Sequence, residues 1–170
     1  YLMNGKATGF SIEVMKLISQ KIGLELKTIK NRSWSEYLKM LETNQLDALI
    51  NINPNAARRK IMNFTKPFAE LSMVAVSREN EFIGEITLEM LKNKKIAIVK
   101  DYGITVKLKN TFPQLNFITV NNTKEALYAI NSNKADITIA NSAVADYFID
   151  KHFISRLTFS PISKHLNLDN

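Results

Sequence analysis

Residues 34–50 read WSEYLKMLETNQLDALI, and residues 123–139 read TKEALYAINSNKADITI. At a constant offset of 89 positions, Glu36, Leu38, Leu41, Asn44, Asp47 and Ile50 return as Glu125, Leu127, Ile130, Asn133, Asp136 and Ile139. Any two strand–helix–strand units share apolar positions, because a covered helix face and a covered strand both demand them. Glu, Asn and Asp at one offset have no such origin. They stand where a helix ends and a new strand begins, so the chain reads as two copies of one architecture.

Outward from this pair, Ser33 is placed to cap a helix with Trp34, Tyr37, Leu38 and Leu41 on one face. That spacing assigns Trp34 to the core. Upstream, Asn4-Gly5 marks a turn, and Ser11 is placed to cap a helix carrying Val14, Leu17, Ile18 and Ile22 and ended by Gly23. Leu24 to Ile29 alternates as a strand, and Asp47 to Ile50 reads as a buried one. The second copy brings a strand near Ile96–Val99, a helix opening at Gly103–Thr105, a strand near Leu115–Val120, a helix from Thr123 and a strand at Ile137–Ala140. Strands alternating with helices predict an α/β fold with a mixed, mostly parallel sheet in each of two lobes. Ligands of such sheets bind beyond the carboxyl ends of the strands. Leu71–Val76, followed by the polar Ser77–Glu81, reads as the crossover, with a return near Ser160–Ser163. These are the candidate hinges.

Composition narrows the function classes. The 170 residues, 45% of them apolar, suffice for a globular core. No apolar run approaches the roughly 18 residues that span a bilayer, and neither a basic leader nor a cleavage site opens the chain, so it is expected to be soluble and already processed or excised. Without cysteine there is no disulfide and no thiolate metal site. The formal charge of +7 is scattered, with tight clusters only at Arg58-Arg59-Lys60 and Lys92–Lys95, and no basic stripe interleaved with aromatics calls for nucleic acid. Five glycines form no phosphate-cradling loop, and there is no Gly-x-Ser-x-Gly elbow or His-Glu-x-x-His pair. His152 and His165 stand apart, so neither a metal nor a cofactor is expected.

Four segments, Gly9-Phe10-Ser11-Ile12-Glu13, Ser33–Leu38, Asp47-Ala48-Leu49, and Arg58 followed by Phe64-Thr65-Lys66-Pro67-Phe68, together resemble the family-3 bacterial extracellular solute-binding proteins. Val99–Ile104 through Pro113, Glu125-Ala126-Leu127, Ala135-Asp136 and Ala143–Tyr147 are most similar to copies that serve as sensor domains of membrane histidine kinases. The resemblance implies a type II periplasmic-binding-protein fold, a Venus flytrap. Lobe 1 would span residues 1–77, with 161–170 returning to it, and lobe 2 residues 78–160. Relatives begin with a further strand and end with longer return segments, so lobe 1 is expected to be incomplete here or completed by another chain.

The same resemblance implies the binding residues. Arg58 holds the position that grips a ligand carboxylate, and its planar fork matches two carboxylate oxygens. Asn53 and Asn55 precede it, where amides could donate to the solute, although Asn-Pro-Asn is equally a turn signature. Gly103, Ile104 and Thr105 open a helix whose first N–H groups favour an anion or are simply capped. Phe68 and Tyr102 adjoin the binding loops. Asn141, beside Ser142, replaces the aspartate that pairs with a ligand ammonium in amino-acid transport proteins, which puts recognition of an α-amino group in doubt.

The function so implied is extracytoplasmic binding of a small carboxylate-bearing solute by lobe closure, without catalysis, at the periplasmic or extracellular face of the membrane. Its partner is a membrane-linked signalling protein, or a transporter if the chain is an uptake receptor. A homodimer stays open. A dehydratase on the same fold would need a cleft carboxylate, and Asn141 removes one candidate.

Overall fold

A computed structural model describes residues 2–3, 6–69, 72–152 and 154–166. The turn expected at Asn4-Gly5 lies outside these. The chain divides into two compact units, Tyr1–Phe64 and Thr65–Asn170.

In the first unit, β1 (Leu2–Met3) pairs antiparallel with β2 (Lys6–Ala7). Helix α1 (Phe10–Ile22) starts after Gly9, whose φ of 111° and ψ of 167° suit glycine, and ends on Gly23 at φ 69°. Ser11 therefore lies inside the helix and is not its cap. Its Oγ instead accepts a 2.6 Å bond from Asn51 Nδ2. Helix α2 (Trp34–Glu42) opens with the expected cap in full. Ser33 Oγ accepts from Glu36 N–H at 3.3 Å, and Glu36 Oε2 accepts from Ser33 N–H at 2.7 Å.

The strands expected at Leu24–Ile29 and Asp47–Ile50 do not form, and Asp47–Ile50 is not buried. A strand is held by its neighbours, and the described ladder of this unit is only the β1–β2 ribbon. Neither α1 nor α2 has a fully buried residue, while Leu17, Ile22 and Leu24 stand exposed.

The second unit holds the sheet: β3 (Met73–Arg78), β4 (Lys95–Val99), β5 (Asn116–Val120), β6 (Ile137–Asn141) and β7 (Leu157–Ser160) in the order β5-β4-β6-β3-β7. β4 runs parallel to β5 and β6, and β3 runs antiparallel to β6 and β7. One face, with Ala75, Ile96, Ile98, Ile137 and Ile139, packs against α3 (Leu88–Leu91) through Leu91 and α4 (Gly103–Thr111) through Leu108. The other, with Val76, Ala97 and Ala140, packs against α5 (Thr123–Asn131) through Ala126, Leu127 and Ile130 and against α6 (Ser142–His152) through Ala145. The alternation along each strand is the period-2 pattern of a sheet covered on both faces.

At the amino ends of β4 and β6, Arg78 gathers the fold. Its Nη1 donates to the carbonyls of Ile130 and Ala135, each at 2.8 Å, and its Nη2 meets Glu81 at 2.5 Å and Asp136 at 3.2 Å. Asp136 also accepts from Lys95 N–H at 2.7 Å. Burial alone would push the Asp136 carboxyl up, but the Lys95 N–H and the Arg78 guanidinium outweigh it and hold the group below the usual carboxylate range.

Two placements differ from the sequence reading. Met73–Val76, read as crossover at the end of lobe 1, is strand β3 in the second unit's sheet, paired with β6 and with β7. The return stretch also lies on the second unit: Ile162 bridges Ile86 and Leu166 is buried in that core, whereas 167–170 fall outside the described residues. The apolar side chains of both stretches account for this, since among the described residues only the second unit offers a covered sheet face.

Candidate functional site

In the first unit the predicted residues form one closed loop. Asn55 Oδ1 accepts from Arg58 N–H at 2.8 Å, and Arg58 opens a 3₁₀ turn through Lys60. Arg58 Nη1 donates to the Asn53 carbonyl at 2.8 Å. Thus Asn53 contributes its backbone and Asn55 its side chain to holding Arg58, a structural use of residues expected to reach the solute. The arginine is 7% exposed, unusual for its type, and its guanidinium carbon lies 5.8 Å from the Trp34 ring centroid.

Trp34 departs from its core assignment: it is only partly buried and stacks at the start of α2, not in a core. Its position directly after the Ser33 cap was the available signal, because a first-turn side chain need not follow the helix's apolar stripe. Phe68 is 49% exposed on irregular backbone of the second unit.

In the second unit, Tyr102–Thr105 and Asn141–Ser142 leave the carboxyl ends of neighbouring parallel strands, β4 and β6. From β4 the chain passes to α4 on one face, and from β6 to α6 on the opposite face. Where adjacent parallel strands send their connections to opposite faces, a crevice opens between the loops. Tyr102–Thr105, Asn141 and Ser142 therefore line a topological switch point, whereas Phe68 does not join them.

The two helix starts there differ. Helix α4 follows Tyr102 with no side-chain cap, so its first N–H groups, those of Gly103, Ile104 and Thr105, have no intrahelical acceptor. The Thr105 hydroxyl is committed inward, donating to the Val99 carbonyl at 2.6 Å, and the residue is buried. Helix α6 is capped by Asn141, whose Oδ1 accepts from Val144 N–H at 3.1 Å. Asn141 Nδ2 and Ser142 N–H both donate to the Ser72 carbonyl, at 3.4 and 3.0 Å. Ser72 carried no signal in the sequence, because its carbonyl and not its side chain takes part.

Two surface depressions of the described residues include none of these residues. One of about 450 Å³ is lined by Arg32, Glu36, Lys39, Met40, Thr43 and Gln45. Among the described residues no group of three or more His, Cys, Asp or Glu side chains is arranged to hold a metal.

The family model of the bacterial extracellular solute-binding proteins, family 3, matches residues 1–137. The chain belongs to that family. Family membership places the domain outside the cytoplasm, and its fold is that of the type II periplasmic binding proteins.

Among curated relatives, the virulence sensor protein BvgS of Bordetella bronchiseptica is 25% identical over 149 residues, covering 88% of this chain and 12% of that protein. A probable amino-acid ABC transporter-binding protein of Haemophilus influenzae is 28% identical over 149 residues, covering 85% of this chain and 56% of that protein. The chain thus spans about half, or much less, of the length of these relatives. Among solved structures, an ancestral arginine-binding protein bound to arginine superposes with a TM-score of 0.82 at 23% identity, covering 93% of this chain and 70% of that one. The periplasmic VFT2 domain of Bordetella pertussis BvgS does so with a TM-score of 0.71 at 23% identity, covering 88% and 63%.

Proposed function

We propose that this family-3 domain binds a small carboxylate-bearing solute, an amino acid or a related organic acid, without turning it over. Its closure on that solute would be read by a membrane-linked signalling histidine kinase. The observation that carries the reading is Arg58: a guanidinium withdrawn from solvent, steadied by the Asn53 carbonyl and the Trp34 ring, at the family's carboxylate-gripping position. Fixing a planar fork before the ligand arrives reduces the ordering cost of binding, and charge-assisted bonds contribute about 1.5 to 3 kcal/mol each. The match to a virulence sensor supports the signalling role. The match to an amino-acid transporter-binding protein favours a second reading, a free uptake receptor with the same chemistry.

Calorimetric titration of the chain with L-arginine, L-glutamine and succinate tests the reading, with Arg58→Ala as the paired variant. Affinity for whichever probe binds falls about 10- to 100-fold in the variant. Unchanged affinity would remove Arg58 from the site. Turnover of a bound probe would move the chain to an enzymatic role.

A further inference from the structure

We propose that Asn141 is a positioning residue and not a contact for the solute: it pins the point where the chain enters the second unit's sheet to the first turn of α6. This rests on the solute-binding reading above and deepens it. Ser72 directly precedes β3, at the end of the stretch that leads from the first unit into that sheet. Its carbonyl receives two donors from the β6–α6 junction, the Asn141 amide at 3.4 Å and the Ser142 N–H at 3.0 Å. In the adjacent ladder Met73 pairs with Asn141 itself. The other end of the same amide caps Val144 N–H at 3.1 Å.

One side chain thus joins three pieces of backbone: the strand entry, the end of β6 and the first turn of α6. Only an amide does this. An alanine offers neither group. An aspartate retains the capping oxygen but sets a second oxygen against the Ser72 carbonyl, where a donor is required. At this corner of the switch point, Asn in place of the Asp of amino-acid transport proteins therefore exchanges a charge that could meet a ligand ammonium for a tie between backbone segments.

Amide hydrogen exchange in the solute-free chain tests this, comparing wild type with Asn141→Ala and Asn141→Asp. In Asn141→Ala the amides of both Ser142 and Val144 exchange roughly five- to tenfold faster. In Asn141→Asp, Val144 keeps its wild-type protection while Ser142 alone accelerates by a similar factor. That split is the signature of the tie, because general loosening of the fold would move both amides in both variants. Wild-type rates at both amides in the alanine variant, or equal acceleration of both in the aspartate variant, would overturn the proposal. No solute enters the measurement, so its failure is separate from failure of the Arg58 titration.

Discussion

Helices α2 and α5 occupy residues 34–42 and 123–131, the same frame 89 positions apart, yet they live in different surroundings. Their ends share several bonds, although Glu36 accepts from its cap's own N–H and Glu125 from Asn121 N–H. Ser33 and Asn122 cap Glu36 and Glu125 N–H. Thr43 Oγ1 and Ser132 Oγ donate to Lys39 and Tyr128 carbonyls at 2.9 and 2.8 Å. Gln45 and Lys134 N–H reach back to Met40 and Ala129 carbonyls, both at 2.8 Å, past Asn44 and Asn133 in left-handed conformations at φ 55° and 58°. Beyond that the copies part. Helix α5 buries Ala126, Leu127, Ala129 and Ile130 against a sheet, whereas α2 buries nothing completely. Caps and helix-ending turns are thus set by a few consecutive residues, while burial and strand formation depend on what lies across from them.

The largest test of this contrast is a pair of truncations at matched positions. Leu127→Ala, at 0% exposure, is expected to cost about 2 to 5 kcal/mol in urea unfolding followed by circular dichroism. Leu38→Ala, at the partly covered counterpart, costs less than half as much, with the single tryptophan, Trp34, as its reporter. Equal losses would break the comparison. A smaller effect sharpens it: Ser33→Ala and Asn122→Ala should each remove about 1 kcal/mol, and by the same amount, because capping is local. Unequal cap costs would show that the surrounding unit reaches even the helix start.

The smallest effect is the acid limb of stability. Asp136 titrates lower when folded than unfolded, so its contribution is fully present above the ordinary aspartate range and is lost as pH falls below it, through the depressed folded value. Asp136→Asn should flatten that limb in a pH series of melting temperatures. An unchanged slope would place the acid sensitivity elsewhere.

The same division explains what was legible in the sequence. The Ser33 cap, the Gly23 stop, the three strands Lys95–Val99, Asn116–Val120 and Ile137–Asn141 and the 89-residue repeat all rest on short-range chemistry or on long apolar runs. Leu24–Ile29 carries a strand's alternation but finds no strand to pair with among the described residues, so the pattern alone misled. Arg58, Asn53 and Asn55 were brought together by the family resemblance, but that Asn53 and Asn55 serve the arginine is a matter of backbone geometry. Trp34 was hidden because an aromatic at helical spacing is most often core. The tie through Ser72 was hidden because carbonyls leave no trace in residue types.

The Arg78 hub stands at the rim of the sheet opposite to that bearing Tyr102–Thr105 and Asn141–Ser142. Structural insurance and the loop-bearing switch point are therefore kept at separate ends of one scaffold. Loops at the rim bearing Tyr102–Thr105 can drift in sequence over evolutionary time, or be randomised in a library, while the distant guanidinium keeps the strands in register.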